Sequence, residues 1–130
     1  MTLVEFLRAR LDEDEQVATE ALRGYPSDDP ASAAPWRAEY HRVMQWPRGR
    51  PHSEVQLVVQ AQWGDVHATR HIARHDPARV LAEVDARRRI IDGPNGGGGP
   101  ESHDEWVETL RLLALPYADH DDYDPAWRPE

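Results

Sequence analysis

The sequence predicts an α+β domain: three amphipathic helices, the middle one broken at Asp76-Pro77, packed on a β-hairpin in the order α-β-β-α-α. Three observations predict it. Apolar residues recur at helical spacing near both ends and through the centre. Between residues 36 and 63 the spacing switches to alternation on either side of a proline-bounded loop. Helix-start signals stand where each helical run begins. One-sided helices need a partner surface and an isolated two-stranded hairpin is unstable, so laying one on the other satisfies both.

Each element follows from local chemistry. Thr2-Leu3-Val4-Glu5 is a capping box, in which the Thr2 hydroxyl accepts from the Glu5 amide while Glu5 reaches back. The helix it opens carries Leu3, Phe6, Leu7, Leu11, Val17, Ala18 and Leu22 on one broad face and ends at Gly24, with Asp12–Glu15 on solvated turns. A connection rich in Pro, Ser, Asp and Ala follows over 25–35. Trp36, Ala38, Tyr40, Met44 and Trp46 then fall on even positions, broken at Arg42, and Val55, Leu57, Val59, Ala61 and Trp63 fall on odd ones. These arms flank Pro47–Pro51 and read as a hairpin. The first arm also fits a helix, because Trp36, Tyr40 and Val43 recur at i, i+4, i+7.

Asp65 caps a short helix through Val66, Ile72 and His75, and Asp76-Pro77 restarts it with aspartate at the N-cap and proline in the first turn. Val80, Leu81, Val84 and Ile91 mark its buried stripe, Arg87, Arg88 and Arg89 complement its C-terminal dipole, and Asp92-Gly93-Pro94 ends it. Residues 93–101 form a glycine-rich flexible connection. Ser102–Glu105 is a second capping box, opening a helix whose Trp106, Val107, Leu110, Leu113 and Ala114 face inward before Pro116. The tail, 117–130, is acidic and irregular, and its Tyr117, Tyr123 and Trp127 suggest that it folds back onto the body.

The chain of 130 residues is expected to be a single domain, 1–130. A domain of this size buries about 65–70% of its unfolded surface and needs no metal or disulfide to hold a core. It has no cysteine, which excludes disulfides and thiolate metal sites. The N-terminus reaches Glu5 without a long apolar run, so we expect neither signal peptide nor membrane span and a cytoplasmic location. The net charge of −9 is uneven. Residues 1–30 hold eight acids and three arginines, 101–130 nine acids and two arginines, and the middle seven acids and ten arginines. Acidic ends oppose nonspecific binding to phosphate, whereas the basic middle keeps that option open.

The strings HIARHDPARVLAEVDARRRIID, LVEFLRARLDEDE and LRLLALPYADHDDY resemble a family of small uncharacterised proteins from actinobacteria and their phages. The resemblance covers about half the chain. It implies a short cytoplasmic protein, often associated with phage or prophage, with no assigned catalytic residues. Relatives commonly carry a cysteine cluster between the last two helices. Here that loop is GPNGGGGP, so a metal role for those cysteines does not carry over.

Two constellations suggest chemistry. His67, His71 and His75 recur every four residues on one side of a helix, and with His120 and Asp121 from the tail they compose a candidate metal set. The glutamate of an HExxH motif is missing, because Ile-Ala-Arg separates His71 from His75. The metal reading stands second to one in which the same histidines are hydrogen-bonded residues at a helix–sheet boundary. The Asp119–Asp122 run lacks calcium-loop spacing and reads as a solvated tail that can also pair with Arg87–Arg89. The second constellation is a candidate partner surface: Trp46, Arg48, Arg50 and Trp63 around the hairpin tip, with Arg87, Arg88 and Arg89. Its composition suits nucleic acid or protein.

No cysteine nucleophile, GxSxG, P-loop or dinucleotide fingerprint is present, and no cofactor is called for. The sequence therefore favours a non-enzymatic accessory protein that binds a protein partner. A metal-dependent hydrolase or nuclease and a nucleic-acid-binding module remain as alternatives.

Overall fold

The computed structural model describes residues 1–22, 35–45, 55–61, 66–93 and 103–129. They form helices α1 (Leu3–Leu22), α2 (Val66–Arg74), α3 (Pro77–Asp92) and α4 (His103–Ala114), and strands β1 (Trp36–Glu39), β2 (Arg42–Gln45) and β3 (Gln56–Gln60). The α+β class and the break at Asp76-Pro77 are as expected. Two compact units arise: Met1–Glu15 with Glu83–Glu130, and Gln16–Ala82. The connection expected over 25–35 lies outside the described residues except Pro35, and that over 93–101 except Gly93. Gly93 takes φ 63° and donates to Arg89 O and Ile90 O at 3.1 and 3.2 Å, which is the glycine stop of α3.

The first unit is helical. The Thr2 amide donates to Glu5 Oε2 at 2.7 Å and the Glu5 amide to Thr2 Oγ1 at 3.2 Å, so α1 opens with the capping box. Phe6, Leu7 and Leu11 of α1, Val84 and Ile91 of α3, and Leu110 and Ala114 of α4 are buried. The tail is built, not loose. A 3-10 turn over Leu115–Tyr117 continues from α4, and another over Pro125–Trp127 is capped by Asp124, which accepts from the Ala126 amide at 2.9 Å. Tyr117, His120, Tyr123 and Trp127 surround the Phe6 ring, with centroid distances of 6.4, 5.9, 5.8 and 5.1 Å. Three of the four contacts are edge-on, the arrangement that ring quadrupoles favour.

The second unit contains an antiparallel sheet in the order β1-β2-β3, with α2 packed on β1 and β2. The arm expected between Trp36 and Trp46 is neither one strand nor a helix. It folds back at Tyr40-His41, pairing Glu39 with Arg42 and Trp36 with Gln45. The break in alternation at Arg42 marks that turn. Because a two-residue turn lies between them, even positions on β1 share a face with odd positions on β2. Trp36, Ala38, Val43 and Gln45 therefore line one face, on which Val43 and Gln45 are buried, and Met44 is placed on the other.

Tyr40 takes φ 54°, and its carbonyl accepts from the buried Thr69 hydroxyl of α2 at 2.6 Å. On β3 the alternation fails for a second reason. Met44 pairs with Leu57 and Val43 with Val59, so Val58 is a bulge residue and the apolar triplet Leu57-Val58-Val59 does not occupy one face. Asp76 ties these parts together: Oδ1 caps α3 by accepting from the Arg79 amide at 2.9 Å, and Oδ2 accepts from the Trp36 amide at 3.3 Å.

Two substitutions test this account. Phe6→Ala removes a fully buried ring and is expected to destabilise the protein by about 3–5 kcal/mol, with hydrogen exchange accelerated across 117–127. A loss of less than 1 kcal/mol, near the level of a surface change, contradicts the packing described. Tyr40→Gly relieves the left-handed backbone and is expected to raise stability by about 0.5–1 kcal/mol, read as a higher urea midpoint at unchanged slope. A lowered midpoint contradicts the turn.

Candidate functional site

The structure distributes the candidate metal residues between the two units. His67, His71 and His75 are exposed on and just beyond α2, in the sheet-bearing unit, whereas His120 and Asp121 belong to the helical one. Among the described residues no three His, Asp or Glu side chains come together as a set that would hold a metal ion. His120 is engaged within its own unit. Its Nε2 meets the Arg10 guanidinium, and its Nδ1 receives the Asp122 amide at 3.1 Å. His71 and His75 do meet, with ring centroids 4.5 Å apart and planes inclined by 41°. His75 Nδ1 lies 2.9 Å from the His71 carbonyl oxygen, so that nitrogen carries the proton and Nε2 keeps its lone pair.

The arginine cluster is not paired as expected. Arg88 reaches Asp12 at 2.6 Å and Glu15 at 2.7 Å, both on α1, rather than the tail acids. Arg87 donates to the Tyr117 hydroxyl at 3.2 Å and lies 3.6 Å from Glu83. Arg89 pairs with Asp85 at 2.9 Å. The acidic run of α1 is thus a docking rail for α3 and not only a solvated face. Of the other candidate partner residues, Trp46, Arg48, Arg50 and Trp63 lie outside the described residues.

Electrostatics reflect these contacts. The hydrogen bond from Arg88 holds the Glu15 carboxyl below its ordinary value, and the carboxylates in turn hold the Arg88 guanidinium further on the charged side. Glu15 therefore contributes stability above the ordinary carboxylate range that is lost as pH falls through its lowered value. Burial, then the hydrogen bond to Asp14 at 2.5 Å, pushes the Tyr117 hydroxyl up to about 12, with Arg87 opposing.

Arg10 is the residue sequence reasoning missed. It is buried, its guanidinium lies 5.3 Å from the Phe6 centroid, and it pairs with Glu13 at 2.9 Å. The available signal was its place on the α1 stripe, four residues after Phe6 and three after Leu7.

In the sheet-bearing unit the described residues on the face opposite Val43 and Gln45 are exposed, apart from the half-buried Met44. Register places Arg37, Met44 and Leu57 in one row and Glu39, Arg42 and Gln60 in the next. Leu57 is 52% exposed and Tyr40, at the turn, 83%. Beside that turn, Ala38, Glu39, Tyr40, Val66 and Arg70 line an open cavity of about 390 Å³.

The sequence places all of this in a wider group. The chain belongs to DUF6221, a family of unknown function. The match runs over residues 1–129. No curated protein and no solved structure matches the chain. The DUF6221 assignment brings no catalytic residue or ligand with it, so the chemistry rests on the geometry above. Among the described residues no helix is long and apolar enough to cross a membrane.

The Tyr117 environment is directly measurable. In an alkaline absorbance titration one tyrosinate is expected to appear only near pH 12 and to vanish in Tyr117→Phe. Since the neutral phenol is favoured in the folded state, its contribution to stability is present below the ordinary value of 10.0 and is lost as pH rises through about 12. A set of tyrosines that all titrate near the ordinary value contradicts the half-buried Asp14–Tyr117 contact.

Proposed function

We propose that this protein is a non-enzymatic accessory protein that binds a protein partner through the open face of its sheet. One observation carries the reading: the apolar pair Leu57–Met44 stands on this face beside Arg37 in its own row and next to the row of Glu39, Arg42 and Gln60. Interfaces share this composition, in which apolar residues, methionine and arginine are enriched beside polar ones. The bulge at Val58 bends and twists the β3 edge, a device that discourages an incoming strand, so recognition falls to side chains on the face and not to strand addition. A face this small suits a transient interaction.

The three arginines at 87–89 are already engaged by acids or a hydroxyl of the chain, which supports protein over nucleic acid as the partner. The sequence's resemblance to small proteins of actinobacteria and their phages supports a cytoplasmic, phage- or prophage-associated role.

Leu57→Lys tests the proposal. It changes an exposed side chain and is expected to alter stability by no more than about 0.5 kcal/mol. A partner recovered from the source organism should protect the amides of 42–45 and 56–60 from exchange when bound to the wild-type protein. It should bind Leu57→Lys at least about tenfold more weakly. Unchanged affinity for that variant, or protection confined to other segments, overturns the assignment of this face.

A further inference from the structure

We propose that His71 and His75 form a two-imidazole site for a divalent transition ion of square-planar preference, Cu(II) before Ni(II). The inference is independent of the sheet face, which uses neither residue.

The geometry carries it. An imidazole nitrogen bound at about 2.0–2.1 Å puts its ring centre about 3.2 Å from the ion. A right angle at the ion then separates two ring centres by about 4.5 Å, and a tetrahedral angle by about 5.2 Å. The observed separation of 4.5 Å matches the right-angle value, which applies when one nitrogen of each ring faces the ion. The His75 ring is also oriented as ligating histidines are. Its Nδ1 proton is given to the His71 carbonyl oxygen at 2.9 Å, which fixes the tautomer and leaves Nε2 to ligate. Both side chains are exposed, so an ion reaches them without reorganising a core.

Spacing of i, i+4 on a helix supplies the rest. Once one ring has bound, the second binds intramolecularly, and a chelate replaces two weak independent sites. Asp76, the nearest acid in sequence, is not a ligand: one oxygen caps α3 and the other accepts from the Trp36 amide. No carboxylate is thereby assigned as a base, so the site holds an ion with its remaining positions open and does not assemble a hydrolase. Nitrogen ligation of this kind favours Cu(II) over Ni(II) and over Zn(II).

The full chain, without a histidine tag, is titrated with Cu(II), Ni(II) and Zn(II) alone. His75→Asn keeps a donor for the His71 carbonyl, because the Asn amide nitrogen stands where Nδ1 stood, but removes Nε2. His71→Ala removes the other ring. The wild-type protein is expected to bind one Cu(II) at this pair, with two nitrogens resolved in the electron paramagnetic resonance spectrum. Each variant is expected to bind at least about tenfold more weakly, with one nitrogen fewer and an unchanged circular dichroism spectrum. His67→Asn is expected to retain wild-type affinity. Equal affinity in the wild-type protein and both variants, a single-nitrogen spectrum in the wild type, or tighter Zn(II) than Cu(II) binding overturns the proposal.

Discussion

The Phe6 ring is the constraint on which the helical unit depends. Four rings from a segment rich in aspartate converge on it. The consequence is a division of labour along the tail. Tyr123 is buried and Tyr117 and Trp127 half-buried, while Asp119, Asp121, Asp122 and Asp124 are left exposed between them. The tail is ordered by its aromatics and made soluble by its acids. Each 3-10 turn uses a proline to hold the chain in the tight path this requires.

The same unit shows how an acidic chain tolerates a run of four adjacent carboxylates. Asp12, Asp14 and Glu15 of α1 do not face water alone: Arg88 bridges Asp12 and Glu15, and the Tyr117 hydroxyl donates to Asp14 while receiving from Arg87. Repulsion along the helix is offset by cations supplied by another helix. Because these contacts are partly exposed, each is worth about 0–1 kcal/mol, and they set which residues face each other more than they set total stability.

What could be read from the sequence was whatever has a local cause. Thr2–Glu5 and Asp76-Pro77 announce helix starts because a cap is a contact within a few residues, and both are found as written. The return of the tail was also legible, since aromatics in an acidic segment have few other uses. The hairpin at Tyr40-His41 was not, because Tyr40 is not a usual choice for the positive φ it takes and only the parity break at Arg42 betrayed it. Missing that turn put Met44 on the wrong face and concealed its pairing with Leu57. The partners of Arg88 were illegible for a different reason. Acids at both ends of the chain offered equivalent charge, and only the packing of α1 chooses between them.

This difference in how polar groups are used directs attention to one unit. In the helical unit, Arg10, Arg87, Arg88, Asp12, Asp14, Glu15, Tyr117 and His120 are engaged with one another or with their own backbone. Recruiting any of them to a ligand means breaking a contact already made, often a partly desolvated one. In the sheet-bearing unit some described side chains differ. The Tyr40 carbonyl and the Asp76 carboxylate help fix the backbone, and the His71–His75 pair, Leu57 and the ring of Tyr40 are exposed. A frame that leaves the His75 Nε2 and an aliphatic surface facing outward is one in which binding costs little, because the contacts already made need not be broken first.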